Sequence, residues 1–211
     1  MWKRKRNGIN FGNVKERTKI IQALINEIQA KTYLEIGISK GENFNKIVCE
    51  TKIGVDPLVK TNYQMSSDSF FEQNRMTFDV IFIDGLHHWE QVYRDVINSL
   101  IILNPKGYIV CHDINPQNEH QQNIPVTKLH KLWTGDCWKA WVRLRRESEN
   151  LNMYVVNTDF GCGVISHGKQ NKLIADLELT YENLANNRVE WLNLITEKQF
   201  YENINSNAGM F

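Results

Sequence analysis

Apolar residues recur along this chain in two alternating rhythms. Between Val14 and Gln29, Ile20, Ile21, Leu24, Ile25 and Ile28 share one face at helical spacing. Tyr33-Leu34-Glu35-Ile36-Gly37 then predicts a short strand, and Phe44, Ile47 and Val48 predict an amphipathic helix after it. Lys52 to Asp56, closed by Pro57, predicts a second strand. Phe78 to Ile83 is almost continuously apolar, the pattern of a parallel strand covered on both faces. His88 to Leu103 predicts a helix whose apolar positions are Val92, Tyr93, Val96, Ile97, Leu100 and Ile101, stopped by the breakers Asn104-Pro105-Lys106-Gly107. Tyr108 to Asp113 is another buried strand. Cys137 to Glu147 predicts a helix with Trp138, Trp141 and Val142 inward. Met153–Val156 and Cys162–Ile165 read as two closing strands around Asp159-Phe160-Gly161. From Leu173 to Tyr201 the pattern is helical but irregular, and Asn203 to Phe211 reads as loose.

Strand and helix alternate, and a strand pair closes the series. This predicts an α/β protein with a Rossmann-like, doubly wound, mostly parallel seven-stranded sheet and an antiparallel strand at the end. The expected organisation is an N-terminal tail and helix (1–31), a ligand-binding core (32–168) with a polar, two-proline lid loop (114–134), and a helical extension (169–211).

Composition narrows the class. Apolar residues make up 42% of the 211 and charged residues 23%, with a formal net charge of +1. No global field marks a nucleic-acid binder. The basic run Lys3-Arg4-Lys5-Arg6 reads as a solvated end, with contact to phosphates or a membrane surface as the alternative. Cys49, Cys111, Cys137 and Cys162 contain no CxxC pair, so neither a zinc knuckle nor a disulfide framework is indicated. Reduced thiols, no signal-like N-terminus and no membrane-length apolar run lead us to expect a cytoplasmic protein.

The turn after the first strand is Glu35-Ile36-Gly37-Ile38-Ser39-Lys40-Gly41. Its glycines allow a sharp bend and close approach of a ligand to the backbone. A dinucleotide site wants GxGxxG, but Ser39 holds the middle glycine position. An acid two residues before the first glycine suits S-adenosyl-L-methionine, which carries an ammonium and a sulfonium and no phosphate. Asp56 ends the second strand, 21 residues after Glu35, where an acid accepts ribose hydroxyls. The alternative is a plain glycine turn with a solvated Asp.

These stretches, with Phe78 to His87 (FDVIFIDGLH) and Asn104 to Asp113 (NPKGYIVCHD), resemble the class I S-adenosylmethionine-dependent methyltransferases. Within them the chain resembles the "family 24" group related to macrolide-sugar O-methyltransferases. The resemblance spans roughly Thr32 to Ile165. It implies that Gly37, Gly41 and Asp56 hold the methionine and ribose parts of the cofactor, and that Ser67 and Asp68 lie at the adenine. It also implies a metal-binding acid at Asp84, a catalytic histidine at His87, and a metal-binding pair at His112 and Asp113.

Residue chemistry bears on that last group. Asp84 ends one strand and His112-Asp113 end the next, which in the expected order lies about 4.8 Å away. His87 is a candidate general base. Asp84, His112 and Asp113 are candidate ligands for a divalent ion that would hold a hydroxylated acceptor. His112 stands where the related group has a carboxylate. That weakens the case for magnesium and favours manganese, iron, zinc or no metal. Two plainer readings stay open: Asp84 as the cap of the following helix, and His112–Asp113 as a structural pair.

Trp133, Trp138 and Trp141 read as helix packing or as an aromatic wall for a sugar, and Arg143, Arg145 and Arg146 as a solvated helix face. The expected activity is O-methylation of a small hydroxylated acceptor such as a sugar or glycan, with no nucleic-acid partner. A dinucleotide-dependent oxidoreductase and a non-catalytic nucleoside-binding module are the alternatives, and the oligomeric state is open.

Overall fold

The computed structural model describes residues 15–126 and 132–207. The basic run at residues 3–6, part of the expected lid loop including His130, and the last four residues lie outside them. Seven strands form one sheet: β1 (Thr32–Ile36), β2 (Thr51–Val55), β3 (Phe78–Ile83), β4 (Leu103–Cys111), β5 (Leu151–Val156), β6 (Cys162–His167) and β7 (Leu194–Ile195). Their order is β2-β1-β3-β4-β6-β5-β7. β2, β1, β3 and β4 run parallel. The reversed strand expected late in the chain is β6, inserted between β4 and β5 and antiparallel to both. Six α-helices pack around the sheet: α1 (Glu16–Glu27), α2 (Ser67–Gln73), α3 (Trp89–Ile102), α4 (Cys137–Glu147), α5 (Tyr181–Leu192) and α6 (Glu197–Asn207).

Successive strand residues point to opposite faces, so each strand feeds two cores. Tyr33, Val80, Phe82, Val110 and Val164 meet Ile20, Ile21 and Leu24 of α1 and Phe200 of α6. Leu34, Ile36, Ile81, Ile83, Ile109 and Ile165 meet Phe70, Val96, Trp138, Trp141 and Trp191 from α2 to α5. The same alternation decides where polar groups at the strand ends go. Glu35 shares the α1 side with Tyr33, and Asp113 shares the α3–α4 side with Cys111.

Four expectations need correction. The chain after β1 makes only hydrogen-bonded turns over residues 42–46, not a helix. Lys52 Nζ takes the carbonyls of Phe44 (2.7 Å) and Ile47 (2.9 Å), the acceptors a continuing helix would need. The breakers at 104–107 do not separate α3 from the next strand. β4 begins at Leu103 opposite Phe78, and the register shifts before Tyr108 pairs with Val80. Residues 203–207, expected to be loose, belong to α6, which Phe200 anchors at 0% exposure. Finally, Arg145 is not on a solvated face. It is buried, and its guanidinium donates to the carbonyls of Glu190 and Trp191. Trp138 and Trp141 are fully buried helix packing.

Candidate active site

The carboxyl ends of β1, β3 and β4 converge as the parallel topology demands. Gly37 has φ +90°, and a Cβ there would stand 2.2 Å from the carbonyl oxygen of Asp84. Only a glycine lets the β1 turn run so close to the end of β3. Gly41 and Ser39 also have positive φ, at 72° and 48°.

Two cavities open on this turn. One, of about 190 Å³, is lined by Lys15, Arg17, Glu35, Gly37, Asn43 and Asp84 among others. The second, of about 350 Å³, is lined by Asp56, Leu58, Ser67, Leu86, Gln91 and Asp95 among others. Both are bounded by Gly37, Ser39 and Asp84, so they adjoin at the sheet edge.

Glu35 is 1% exposed. Its Oε2 accepts from Tyr33 Oη (2.5 Å) and Asn43 Nδ2 (2.8 Å). Burial outweighs both bonds and pushes its carboxyl up to about 7. Asp56 has the opposite balance. Burial works against its charge, but four backbone N–H groups, of Ser39, Leu58, Ile38 and Val59, hold its carboxyl below the usual range. It thereby ties the β1 turn to the segment after β2. Ser67 lines the larger cavity. Asp68 is not among its lining residues: it takes a hydrogen bond from Gln91 (3.1 Å) and faces Arg94 (3.7 Å) on α3. Asp95, which the sequence reading did not single out, lines the same cavity. Burial lifts its carboxyl to about 6 despite a 2.9 Å bond from Gln91.

Beside the shared wall lies a cluster of acids and imidazoles. His87 Nε2 is 3.3 Å from Asp84 Oδ1, and its Nδ1 is 3.2 Å from Asp113 Oδ2. The second contact lacks hydrogen-bond alignment, which leaves Nδ1 buried with no hydrogen-bond partner. The ring stacks on Trp133 at 5.2 Å between centroids and 20° between planes. Burial lowers the His87 pKa, but Asp84 and Asp113 more than restore it and leave it raised. Asp84 is held well below the carboxylate range, against its burial, by His112 and His87.

His112 is buried. Its Nδ1 lies 3.2 Å from Asp84 Oδ1 and 3.1 Å from Asp113 Oδ2. Burial opposes charge on this ring, whereas Asp84 and Asp113 favour it strongly. Arg17 Nη1 lies equally close to both ring nitrogens, 2.8 Å from Nδ1 and 2.7 Å from Nε2.

The plainer reading of Asp84 as a helix cap is corrected by Asp136, whose Oδ1 accepts the N–H of Trp89 (2.9 Å) at the start of α3. One ligand atom from each of Asp84, His87 and Asp113 lies within 4.8 Å of the others. His112, the third expected ligand, adjoins the same carboxylates but has Arg17 against it. Sequence reasoning missed Arg17, Asn43 and Asp159. Arg17 shares the face of α1 that carries Ile20, Ile21 and Leu24, one turn before them, so helical periodicity was the signal that could have placed it inward. Asp159 was read only as part of a turn, yet its Oδ1 lies 3.6 Å from His112 Nε2. The backbone φ values at Asp113 (60°), Asp159 (45°), Phe160 (60°) and Gly161 (92°) are all positive, the kind of strain that gathers at functional sites.

The fold is the Rossmann-like methyltransferase fold. A family model described as a methyltransferase domain matches residues 18–114, from α1 to the end of the β4 segment. Over that stretch, which is under half of the chain, the sequence is similar to a methyltransferase domain. No curated protein matches it. Solved structures do match. The O-methyltransferase from Bacillus cereus, in complex with S-adenosylhomocysteine, is 14% identical with a TM-score of 0.53, over 76% of this chain and 84% of that one. The Podospora anserina methyltransferase PaMTH1, bound to S-adenosylhomocysteine, is 12% identical with a TM-score of 0.51, over 73% and 78%. The O-methyltransferase TomG of Streptomyces achromogenes, in complex with S-adenosylmethionine, is 10% identical with a TM-score of 0.51, over 72% and 79%. At such identities they share its fold. Among the described residues, no helix is long and apolar enough to cross a membrane.

Proposed function

We propose that the chain methylates a hydroxyl group of a small polyhydroxylated acceptor, a sugar or glycan, with His87 as the base. The observation that carries this reading is the His87 ring: Asp84 holds one nitrogen, and the other is buried without a hydrogen bond beside Asp113.

The two cavities fit the cofactor by their donor set. Glu35 in the smaller cavity suits an ammonium, and Lys15 and Lys40 suit a carboxylate. In the larger cavity Asp56 suits ribose hydroxyls, and Ser67, Leu86 and Gln91 surround space for a base. The cofactor, when bound, supplies a methyl group on a cationic sulfur, and Asp84 stands where the two cavities join. Asp84 fixes the His87 tautomer with the proton on Nε2. Nδ1 is then the acceptor for the hydroxyl proton, and Asp113 stabilises the imidazolium that results. Trp133 offers an aromatic face to the C–H side of a sugar ring, fixed by its Nε1–H bond to the Asn123 carbonyl (2.8 Å). Because Nδ1 is covered, acceptor entry includes a shift of Trp133.

A divalent ion fits less well. His112 has the Arg17 guanidinium against both ring nitrogens, and His87 meets Asp84 and Asp113 through different ring nitrogens. Proton transfer from the hydroxyl to His87 needs no metal.

The test is His87→Ala, assayed for S-adenosylhomocysteine release over a panel of hydroxylated sugars. Turnover should fall by about 10²- to 10⁴-fold while S-adenosylhomocysteine binds as before. Undiminished turnover would remove His87 from the mechanism.

A further inference from the structure

Arg17 enters the site from α1, outside the sheet edge that carries the other groups. Its side chain is 12% exposed. Nη1 lies 2.7 and 2.8 Å from the two ring nitrogens of His112 and 3.4 Å from Asp84 Oδ2. Nε lies 3.4 Å from Asp159 Oδ2, and the same oxygen is 3.3 Å from the backbone N–H of Arg17. Three carboxylates, those of Asp84, Asp113 and Asp159, thus surround His112. Two of them pair directly with one guanidinium.

Such a group of buried acids needs a compensating cation. A guanidinium cannot lose its proton in a protein, so its charge is permanent. A divalent ion here would compete with that fixed charge for Asp84, whose Oδ2 lies 3.4 Å from Arg17 Nη1. The left-handed backbone at Asp113 and Asp159 shows that the chain accepts strain to aim both carboxylates here.

We propose that Arg17 is the resident cation of this site, holding Asp84, His112 and Asp159 in place of a divalent ion, so that cofactor binding and turnover need no metal. The proposal depends on the methyl-transfer reading only for what the site is used for. The charge balance itself does not.

The test titrates manganese into the metal-stripped full chain at neutral pH, with free ion followed by electron paramagnetic resonance. Separately, S-adenosylhomocysteine affinity is measured with and without a chelator. Wild type should take up no stoichiometric manganese at millimolar ion, and the chelator should leave nucleoside affinity unchanged. Arg17→Gln leaves the acids unbalanced and should bind one ion per chain, roughly tenfold tighter or more than wild type. Asp84→Asn in that background should abolish the gain. Arg17→Lys keeps the charge and should behave as wild type. One manganese bound per wild-type chain and lost on Asp84→Asn would overturn the proposal. So would a folded Arg17→Gln protein with no gain in manganese affinity. If Arg17→Gln does not fold, the wild-type and Arg17→Lys titrations still decide. Failure of S-adenosylhomocysteine to bind under any condition would instead count against the methyl-transfer reading, while the manganese data would still report on the cation.

Discussion

Glu35 offers a quantitative test of the proposed cofactor groove. Burial lifts its carboxyl from the ordinary 4.5 to about 7, despite the bonds from Tyr33 and Asn43. That displacement corresponds to about 3 kcal/mol. In the unliganded protein the folded state keeps a proton on Glu35 between pH 4.5 and 7 that the unfolded chain has released. Folding stability contributed by this group is therefore present at low pH and lost as pH rises through that window. Ligand binding should run the other way. An ammonium in the smaller cavity needs the carboxylate, so affinity should rise with pH and level off above about 7. Between pH 5.5 and 7.5, S-adenosylhomocysteine should gain about 20-fold in affinity, with release of a proton at the lower pH. Calorimetry in two buffers of different ionisation heat measures both. Other titratable and charged groups border the same space, namely Arg17 on α1, Lys15 just before it, Lys40 and Glu42 on the turn, and Asp84. The decisive comparison is thus Glu35→Gln, which should bind more weakly at pH 7.5 and lose most of the pH slope. A wild-type affinity flat across this range, or an unchanged slope in Glu35→Gln, would refute the placement of the ammonium.

Two further outcomes follow from the packing. Gly37→Ala puts a Cβ 2.2 Å from the Asp84 carbonyl at φ +90°. It should destabilise the chain by more than about 1 kcal/mol in thermal unfolding and abolish S-adenosylhomocysteine binding. Arg145→Met leaves two carbonyls at the end of α5 without their donor and should lower stability by about 1–3 kcal/mol in urea titrations, with nucleoside affinity unchanged.

The parts of this molecule governed by periodicity were legible in the sequence. β3 and β4 showed as apolar runs because both their faces are covered, and α4 was delimited at its observed ends, Cys137 and Glu147. The glycine turn and the acids at strand ends were legible because parallel topology brings such positions together. What could not be read was contact across long separations. Lys52 removes the acceptors of a helix eight residues before it, and nothing in the local pattern of Phe44 and Ile47 announces that. Arg17 reaches His112 across 95 positions. Asp136 caps α3 from 47 residues away, in the place local reasoning offered to Asp84. His87 and His112 were picked out by residue type. What surrounds them, Arg17 against one ring and Trp133 against the other, comes from distant parts of the chain.

The segments after β4 and between β5 and β6 are stitched together. Ile114 N–H bonds to the Gly161 carbonyl at 3.2 Å and Asn115 N–H to that of Phe160 at 2.7 Å, while Arg188 of α5 donates to Asn115 and Pro116. Asp113 and Asp159 therefore ride on one braced piece of backbone. The direction of the field they create is set when the chain folds, and none of that reorganisation recurs during a catalytic cycle.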